Sequence, residues 1–204
     1  MKEIIHRGIT SKMINENSYL SIKRALLNNN SLGVEFDIRL TKDNKIVLSH
    51  NSLININYIE NMNYNDIIKK KYLFTLDKIL SINTDKILLI DIKVNNNYKA
   101  FGDLLIRELN GINRNIYLAS FNRKIIKYLY KKINYKIGII SFRYRKDKYD
   151  FIVLNYKTIS NKKIKTIKRK EIFLWTIHDN NNIKEVKNKF SNINDYYIII
   201  DKKE

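Results

Sequence analysis

The chain of 204 residues contains no cysteine and no proline. Without cysteine it has neither a disulfide framework nor a thiolate nucleophile, so both a stapled fold and thiol chemistry are excluded. No apolar run approaches the roughly 18 residues that a membrane-spanning helix needs, and we expect no transmembrane segment. Because the sequence is already strand-like at Ile4, no room remains for a signal peptide, and we expect a cytoplasmic protein.

Acidic side chains are also scarce beside basic ones: 20 Asp and Glu against 39 Lys and Arg, a formal net charge of +19. A basic surface attracts phosphodiesters, anionic head groups or nucleic acid. The same excess arises from compositional drift, because Lys, Asn, Ile and Tyr are abundant together while proline is absent. The basic residues are spread along the chain, which favours drift over nucleic-acid binding, although the net charge leaves such binding open.

What is present is a regular alternation of strand-like and helix-like segments, which is typical of βα units around a parallel sheet. The predicted strands lie at 3–6, 34–38, 87–92, 115–120, 136–141, 151–154, 172–176 and 196–200. The predicted helices lie at 18–29, 64–70, 75–82, 97–109, 122–132, 160–169 and 180–189. Eight strands with intervening helices fit one compact (β/α)8 TIM-type barrel, and we expect residues 1–204 to form that single domain.

An extra strand is expected directly after the second barrel strand. Asp43-Asn44 is a turn signal, and the connection to the apolar run 46–49 is too short for a parallel crossover, so a β-hairpin is predicted. With Asp43 and Asn44 at the centre of the turn, Asp37 and His50 would be cross-strand partners on one face. One more residue in the loop would turn His50 to the other face.

Polar side chains stand at the ends of the predicted strands. Glu35 and Asp37 are two apart in a strand and therefore project from the same face. Asp91 and Lys93 end another apolar run with the same spacing, and His6 follows the first strand. Because the carboxyl ends of barrel strands carry the chemistry of such folds, we expect these side chains to meet in one site.

The residue types indicate a metal centre flanked by two imidazoles. Glu35, Asp37 and Asp91 offer only oxygen ligands, which suit one hard divalent cation, Mg²⁺ or Ca²⁺, better than zinc. His6 and His50 are the candidate general acid and base, because the imidazole pKa lies near neutral pH. The sequence does not decide which histidine has which role.

Taken in order, these residues belong to short motifs in which the chain resembles the glycerophosphodiester phosphodiesterase family. The motifs are His6-Arg7-Gly8, Glu16-Asn17-Ser18, Glu35-Phe36-Asp37, Thr41-Lys42-Asp43-Asn44, His50-Asn51 and Asp91-Ile92-Lys93. Matches at later strand ends are Ser120-Phe121-Asn122, Trp175-Thr176 and Ile200-Asp201. Asn51 and Asp91 depart from the family pattern, which has an aspartate and a glutamate there, and the stretch between His50 and Asp91 is short.

The resemblance implies a metal-dependent hydrolase that cleaves glycerophosphodiesters to glycerol 3-phosphate and an alcohol. Arg7 and Lys93 would then bind the substrate phosphate together with the cation. Trp175 would line the pocket or belong to the barrel core. Attack by water, or by the substrate's own hydroxyl to give a cyclic phosphate, are both open.

Two other functions stay open. One is a related phosphodiesterase or lyase that acts on lysophospholipid head groups. The other is a catalytically weakened barrel that binds anionic polymers or membrane surfaces through its charge. Outside the reaction, we expect His178 at the rim, and Glu16 and Asn17 as organisers of the first βα loop. The oligomeric state is not indicated.

Overall fold

The apolar runs form strands and the segments between them form helices, in a computed structural model that describes residues 2–167, 170–191, 193 and 196–204. The strands are β1 (Lys2–Thr10), β2 (Gly33–Leu40), β3 (Ile46–Leu48), β4 (Leu53–Ile54), β5 (Asn57–Tyr58), β6 (Ile87–Ile92), β7 (Ile116–Ser120), β8 (Lys136–Ser141), β9 (Phe151–Asn155), β10 (Glu171–Ile177) and β11 (Tyr197–Lys203). The helices are α1 (Tyr19–Leu27), α2 (Tyr64–Ile68), α3 (Leu76–Leu80), α4 (Tyr98–Leu109), α5 (Arg123–Leu129), α6 (Asn161–Ile164) and α7 (Asn180–Lys189), with a 3₁₀ helix at Ile59–Asn61.

Within the described residues, eight parallel strands close into a ring in the order β1, β2, β6, β7, β8, β9, β10, β11, and β11 pairs with β1. β3 pairs antiparallel with β2 outside the ring. The predicted (β/α)8 barrel with an added hairpin strand is therefore confirmed. Residues 168 and 169, the end of the predicted helix 160–169, lie outside the described residues. No described helix has the length and apolarity to cross a bilayer.

Side chains alternate along the barrel strands, so one set packs outward against the helices and the other packs inside the barrel. Val34, Phe36 and Ile38 of β2 point outward and pack with Ile22 and Ala25 of α1. The inner core is formed by Ile4, Ile87, Leu89, Tyr117, Ala119, Ile140, Phe151, Val153, Phe173, Tyr197 and Ile199. Full burial of one such side chain stabilises a fold by about 1.5–3 kcal/mol, so both cores hold the ring closed.

Aromatic rings fill the amino-terminal end of the barrel. Phe173 stacks on Tyr197 with 4.4 Å between ring centroids, and Tyr117 meets Phe151 edge-on at 5.2 Å. Gly138 makes room for this layer, because a Cβ at that position would lie 2.5 Å from the Phe151 ring. Asp91 lies nearer the carboxyl end of its strand than the rings of this layer do.

The β2–β3 hairpin has a different register from the predicted one. Ile38 pairs with Leu48, and the Ser49 N–H donates a hydrogen bond of 3.1 Å to the Asp37 carbonyl. Ser49 therefore lies opposite Asp37, and the prediction that His50 is its direct partner is wrong by one residue.

A three-residue loop causes this shift. The Thr41 N–H donates to the Lys45 carbonyl at 2.9 Å, and Asn44 adopts a left-handed conformation with φ of 60°. A turn followed by one left-handed residue is a common three-residue hairpin loop. His50 lies beyond the end of β3, where strand alternation no longer sets the side-chain direction.

Candidate active site

Parallel pairing places the polar residues of neighbouring strands side by side. Asp37 of β2 is the register partner of Asp91 of β6, and His6 of β1 is the partner of Glu35. Since Glu35 and Asp37 share a face of β2, all four side chains converge at the carboxyl end of the barrel. The predicted meeting of these residues follows from the sheet register.

The three carboxylates form one buried cluster. Glu35, Asp37 and Asp91 each place an oxygen within 4.8 Å of the oxygens of the other two. Glu35 Oε2 and Asp91 Oδ1 are fully buried and have no hydrogen-bond partner. A buried carboxylate oxygen is costly unless it is paired or binds a metal. The three residues therefore fit a hard divalent cation.

The pKa values of the cluster are displaced in opposite directions. Burial raises the pKa of Glu35 well above its usual value, and the neighbouring Asp37 and Asp91 raise it further. Burial likewise raises the pKa of Asp91 to about 6, against the opposing effect of Lys93. Burial alone would raise the pKa of Asp37, but Lys93 and Arg7 hold it below its usual value. Without a cation, the site thus keeps Asp37 ionised, while Glu35 and Asp91 bind a proton more readily than ordinary carboxyl groups do.

Two cations flank the cluster. Lys93 Nζ lies 3.1 Å from Asp37 Oδ1 and 2.5 Å from Asp91 Oδ2. Arg7 Nε lies 3.0 Å from Asp37 Oδ2, and its guanidinium also pairs with Glu16 at 3.0 Å. Positive charge is therefore fixed on the same wall as the carboxylates.

The first βα loop holds Asp37 in place. Asn17 Nδ2 donates to Asp37 Oδ2 at 2.9 Å, and the Asp37 N–H donates to Asn17 Oδ1 at 3.0 Å. Ser18 caps the start of α1 with a side-chain and backbone exchange with Ser21. Gly8, with φ of +88°, allows the backbone near the end of β1 to lie against Ser21. Asn17 thus acts on the carboxylate from the loop that it organises.

Asp201 connects two histidines. Its Oδ1 lies 2.6 Å from His6 Nδ1, and its Oδ2 lies 2.6 Å from His178 Nδ1. Burial would raise the pKa of Asp201, but the hydrogen bonds from both rings hold it below its usual value. An ionised carboxylate only accepts, so both rings donate from Nδ1. His6 Nε2 then faces the carboxylate cluster and lies 3.8 Å from Glu35 Oε2.

His50 reaches the same cavity from the hairpin side. Arg39 donates two hydrogen bonds to the His50 carbonyl, at 3.1 and 2.7 Å. The ring Nδ1 lies 3.3 Å from Asn51 Oδ1, so the partner of this imidazole is a neutral amide. The contact from Arg39 holds the bend after β3 in place, and this bend positions the imidazole of His50.

The pKa of His50 is lowered. Burial is the largest cause, and the nearby Arg7 and Lys93 add to it, while Asp37 opposes them. The neutral imidazole is consequently the favoured form at neutral pH.

One cavity of about 110 Å³ brings these side chains together. It is lined by His6, Arg7, Glu35, Asp37, His50, Leu89, Asp91, Lys93, Ala119, Phe121, Ile140, Val153, Trp175 and Thr176. All the residues proposed from the sequence are in this set, including Trp175, which also packs on the inner core. One wall is charged, and the other is apolar.

An aromatic rim stands on the apolar side, formed by Phe121, Phe142 and Trp175. Phe121 and Phe142 lie 5.7 and 5.2 Å from Trp175 between ring centroids. Both phenylalanines are exposed, at 44% and 54%. Sequence reasoning did not assign them to the site, although Phe121 directly follows Ser120 at a strand end.

Comparison with known proteins agrees with the fold and the motifs. The sequence model of the Glycerophosphoryl diester phosphodiesterase family matches residues 6–189. No curated protein sequence matches the chain. Several crystal structures are similar in fold, all at low sequence identity.

A glycerophosphodiester phosphodiesterase from Thermotoga maritima has 20% identity and a TM-score of 0.73 over 97% of this chain and 93% of its own. One from Parabacteroides distasonis has 19% identity and a TM-score of 0.81 over 98% and 92%. An Oleispira antarctica phosphodiesterase in complex with the product sn-glycerol-3-phosphate has 16% identity and a TM-score of 0.78 over 98% and 92%. At these identities the likeness supports a common barrel fold.

Proposed function

We propose, since the chain belongs to the glycerophosphoryl diester phosphodiesterase family and is an enzyme of that class, that it cleaves glycerophosphodiesters to glycerol 3-phosphate and an alcohol in a cation-dependent reaction. The observation that carries this proposal is the joint presence of three buried carboxylates and two histidines around one cavity. The sn-glycerol-3-phosphate held by the Oleispira relative is consistent with that product.

One divalent cation, Mg²⁺ or Ca²⁺, would be held by Glu35, Asp37 and Asp91. The donor set is all oxygen, which hard cations prefer, and the unpaired oxygens of Glu35 and Asp91 would gain a partner. When bound, the cation supplies Lewis-acid stabilisation of the charge that develops on the phosphoryl oxygens.

Arg7 and Lys93 would bind the phosphate of the substrate. Both are fixed against Asp37 before substrate arrives, so little reorganisation is needed when negative charge grows in the transition state. Lys93 and Arg7 have pKa values above the usual ones, Lys93 because Asp91 and Asp37 outweigh its burial and Arg7 because Asp37 and Glu16 do. They therefore act as permanent positive charges rather than as proton donors.

The two histidines would divide the proton transfers. His50, which favours its neutral form, accepts the proton of the attacking water through Nε2. His6 donates from Nδ1 to Asp201, and in its imidazolium form it carries a second proton on Nε2, which it delivers to the oxygen of the leaving alcohol. A phosphorus–oxygen bond forms on the water side and one breaks on the alcohol side, so the proton lost at His6 is balanced by the one gained at His50.

The leaving alcohol would lie on the apolar side of the cavity, against the aromatic rim. Phe121 and Phe142 are exposed there, and Trp175 packs edge-on against both rings. This rim also favours a second candidate substrate class, lysophospholipids, in which the head-group alcohol leaves and the acyl chain, retained on the lysophosphatidic acid product, would pack on the rim. Both candidates use the same charged wall and differ only in the group placed on the rim.

The direct test is product analysis by ³¹P NMR with the full chain, glycerophosphocholine and lysophosphatidylcholine. Glycerol 3-phosphate from the first, lost on chelation and restored by Mg²⁺ or Ca²⁺, supports the proposal. A cyclic phosphate would instead assign attack to a substrate hydroxyl, and release of choline with lysophosphatidic acid would assign the lysophospholipid reaction. His50→Ala is the matched inactive control, with an expected loss of at least about 100-fold in kcat. Absence of any phosphorus product would contradict the proposed function.

A further inference from the structure

We propose that His178 is a positioning residue for His6 and acts through Asp201. This inference rests on the proposed function, in which His6 is the proton donor. His178 does not line the cavity, so its effect on the reaction must pass through the carboxylate.

The contact is set by the sheet register. Ile177 of β10 is the partner of Ile200 of β11, so His178 and Asp201 are the next residues on adjacent strands. On the other side of β11, Ile5 is the partner of Ile200, which brings His6 beside Asp201 as well. The carboxylate therefore stands between two rings because the register of the three strands places His6, Asp201 and His178 at the same level.

The geometry uses both oxygens of Asp201. Its Oδ1 accepts from His6 and its Oδ2 from His178, each at 2.6 Å, so the plane of the carboxylate is fixed. The side chain of Asp201 is 32% exposed. Without His178, Oδ2 would bond to water and the carboxylate could rotate away from His6.

His178 is itself anchored, although 59% of its side chain is exposed. The backbone N–H of His178 donates to Asn182 Oδ1 at 3.2 Å. The Asn182 N–H in turn donates to Asp179 Oδ1 at 2.8 Å, which caps the start of α7. The first turn of α7 thus fixes the backbone from which the imidazole reaches Asp201.

This arrangement fixes the proton of His6 on Nδ1 and directs Nε2 into the cavity. Loss of the His178 contact should reduce the fraction of His6 in that orientation, while the phosphate-binding residues stay unchanged. The expected effect is therefore on kcat and not on KM. Loss of a residue that orients a functional histidine from outside the cavity typically lowers activity 10- to 100-fold.

The test compares His178→Ala, His178→Asn and Asp201→Ala with the double variant. We expect His178→Ala to lower kcat about 10-fold with KM within about twofold, and His178→Asn to recover most of that loss, because its amide N–H can replace Nδ1–H. In the Asp201→Ala background, His178→Ala should not lower kcat any further, since His178 acts on His6 only through Asp201. Asn181→Ala, an exposed substitution on the same helix, is the control with unchanged kinetics.

A readout independent of turnover separates this proposal from the proposed function. ¹⁵N NMR of the neutral histidine rings should show His6 protonated on Nδ1 in the wild type and as a mixture of tautomers in His178→Ala. An unchanged His6 tautomer, or an additive loss in the double variant, would overturn the positioning role. A wild-type chain that shows the His6 tautomer but turns over no diester would contradict only the proposed function.

Discussion

At the scale of single residues, the decisive feature is that buried acids with unmet hydrogen-bonding capacity stand beside fixed cations. The raised pKa values of Glu35 and Asp91 and the lowered one of Asp37 express the same fact. Glu35 and Asp91 bind a proton more readily than ordinary carboxyl groups do when no metal takes its place. Cation binding and protonation should therefore compete at this cluster.

This competition predicts a pH-dependent stabilisation by metal. A carboxyl whose pKa is raised in the folded state gives stability at low pH, which is lost as the pH rises from about 4 through about 6 for Asp91. A cation replaces the lost proton. The rise in melting temperature on adding Mg²⁺ or Ca²⁺ should consequently be larger at about pH 7.5 than at about pH 5. Differential scanning fluorimetry checks this, and Asp91→Asn is the control that should lose most of the increment. Equal increments at both pH values would refute the competition.

The amide of Asn51 gives a second prediction. It is the ring partner of His50, where the family has an aspartate. In Asn51→Asp the new carboxylate should raise the pKa of His50 by about one unit or more. Because His50 must be neutral to accept a proton, the acid limb of the kcat/KM profile should move to higher pH. Asn51→Ala controls for loss of the amide alone. An unmoved acid limb would remove His50 as the base.

At the scale of elements, the sequence was informative where a period or a strand end carried the signal. Most barrel strands and helices were predicted near their observed bounds, because each places apolar residues at a regular spacing. Two differ more: the predicted helix 160–169 is observed as Asn161–Ile164, and the predicted strand 3–6 is observed as Lys2–Thr10. The β4–β5 ribbon and the 3₁₀ helix were missed, since two or three residues show no period. The hairpin register was missed because it depends on the left-handed backbone of Asn44, a local choice that the turn residues alone do not fix.

The site residues divide in the same way into those that the sequence predicted and those that it missed. The cluster of Glu35, Asp37 and Asp91 was predicted from spacing within strands and from the position of these residues at strand ends. The contact between His6 and Asp201 spans 195 residues and exists only because β11 closes the ring against β1. Phe142 belongs to the aromatic rim through its contacts with Phe121 and Trp175, and the three rings come from three different strand ends. Such long-range juxtapositions require the register of a closed barrel.

Gly138 supplies the prediction at this scale. The Cβ of Gly138→Ala would lie 2.5 Å from the Phe151 ring in the aromatic layer, so overpacking should destabilise the fold by about 1–3 kcal/mol. Urea denaturation measures the loss. In a Phe151→Leu background the added cost of Gly138→Ala should be smaller, because the clashing ring is gone. An equal cost in both backgrounds would point to the backbone and not to the ring.

At the scale of the whole molecule, charge is the dominant property. The chain has a net charge of +19, although the site itself contains both acidic and basic side chains. Long-range electrostatic attraction acts on the net charge of a substrate. The anionic diester glycerophosphoglycerol should therefore lose several-fold in kcat/KM as salt screens the field, while zwitterionic glycerophosphocholine should change much less. Steady-state kinetics at low and high NaCl provide the test, with kcat as the internal control. The same salt response for both substrates would show that the basic surface does not steer them.

The most direct measurement is anomalous diffraction from crystals soaked in Mn²⁺, an oxygen-preferring ion that stands in for Mg²⁺. We predict one strong peak in contact with Glu35, Asp37 and Asp91, and its loss in Asp91→Asn crystals soaked in the same way. A peak elsewhere in the barrel, or none among these three carboxylates at saturating metal, would contradict a cation-dependent phosphodiesterase site.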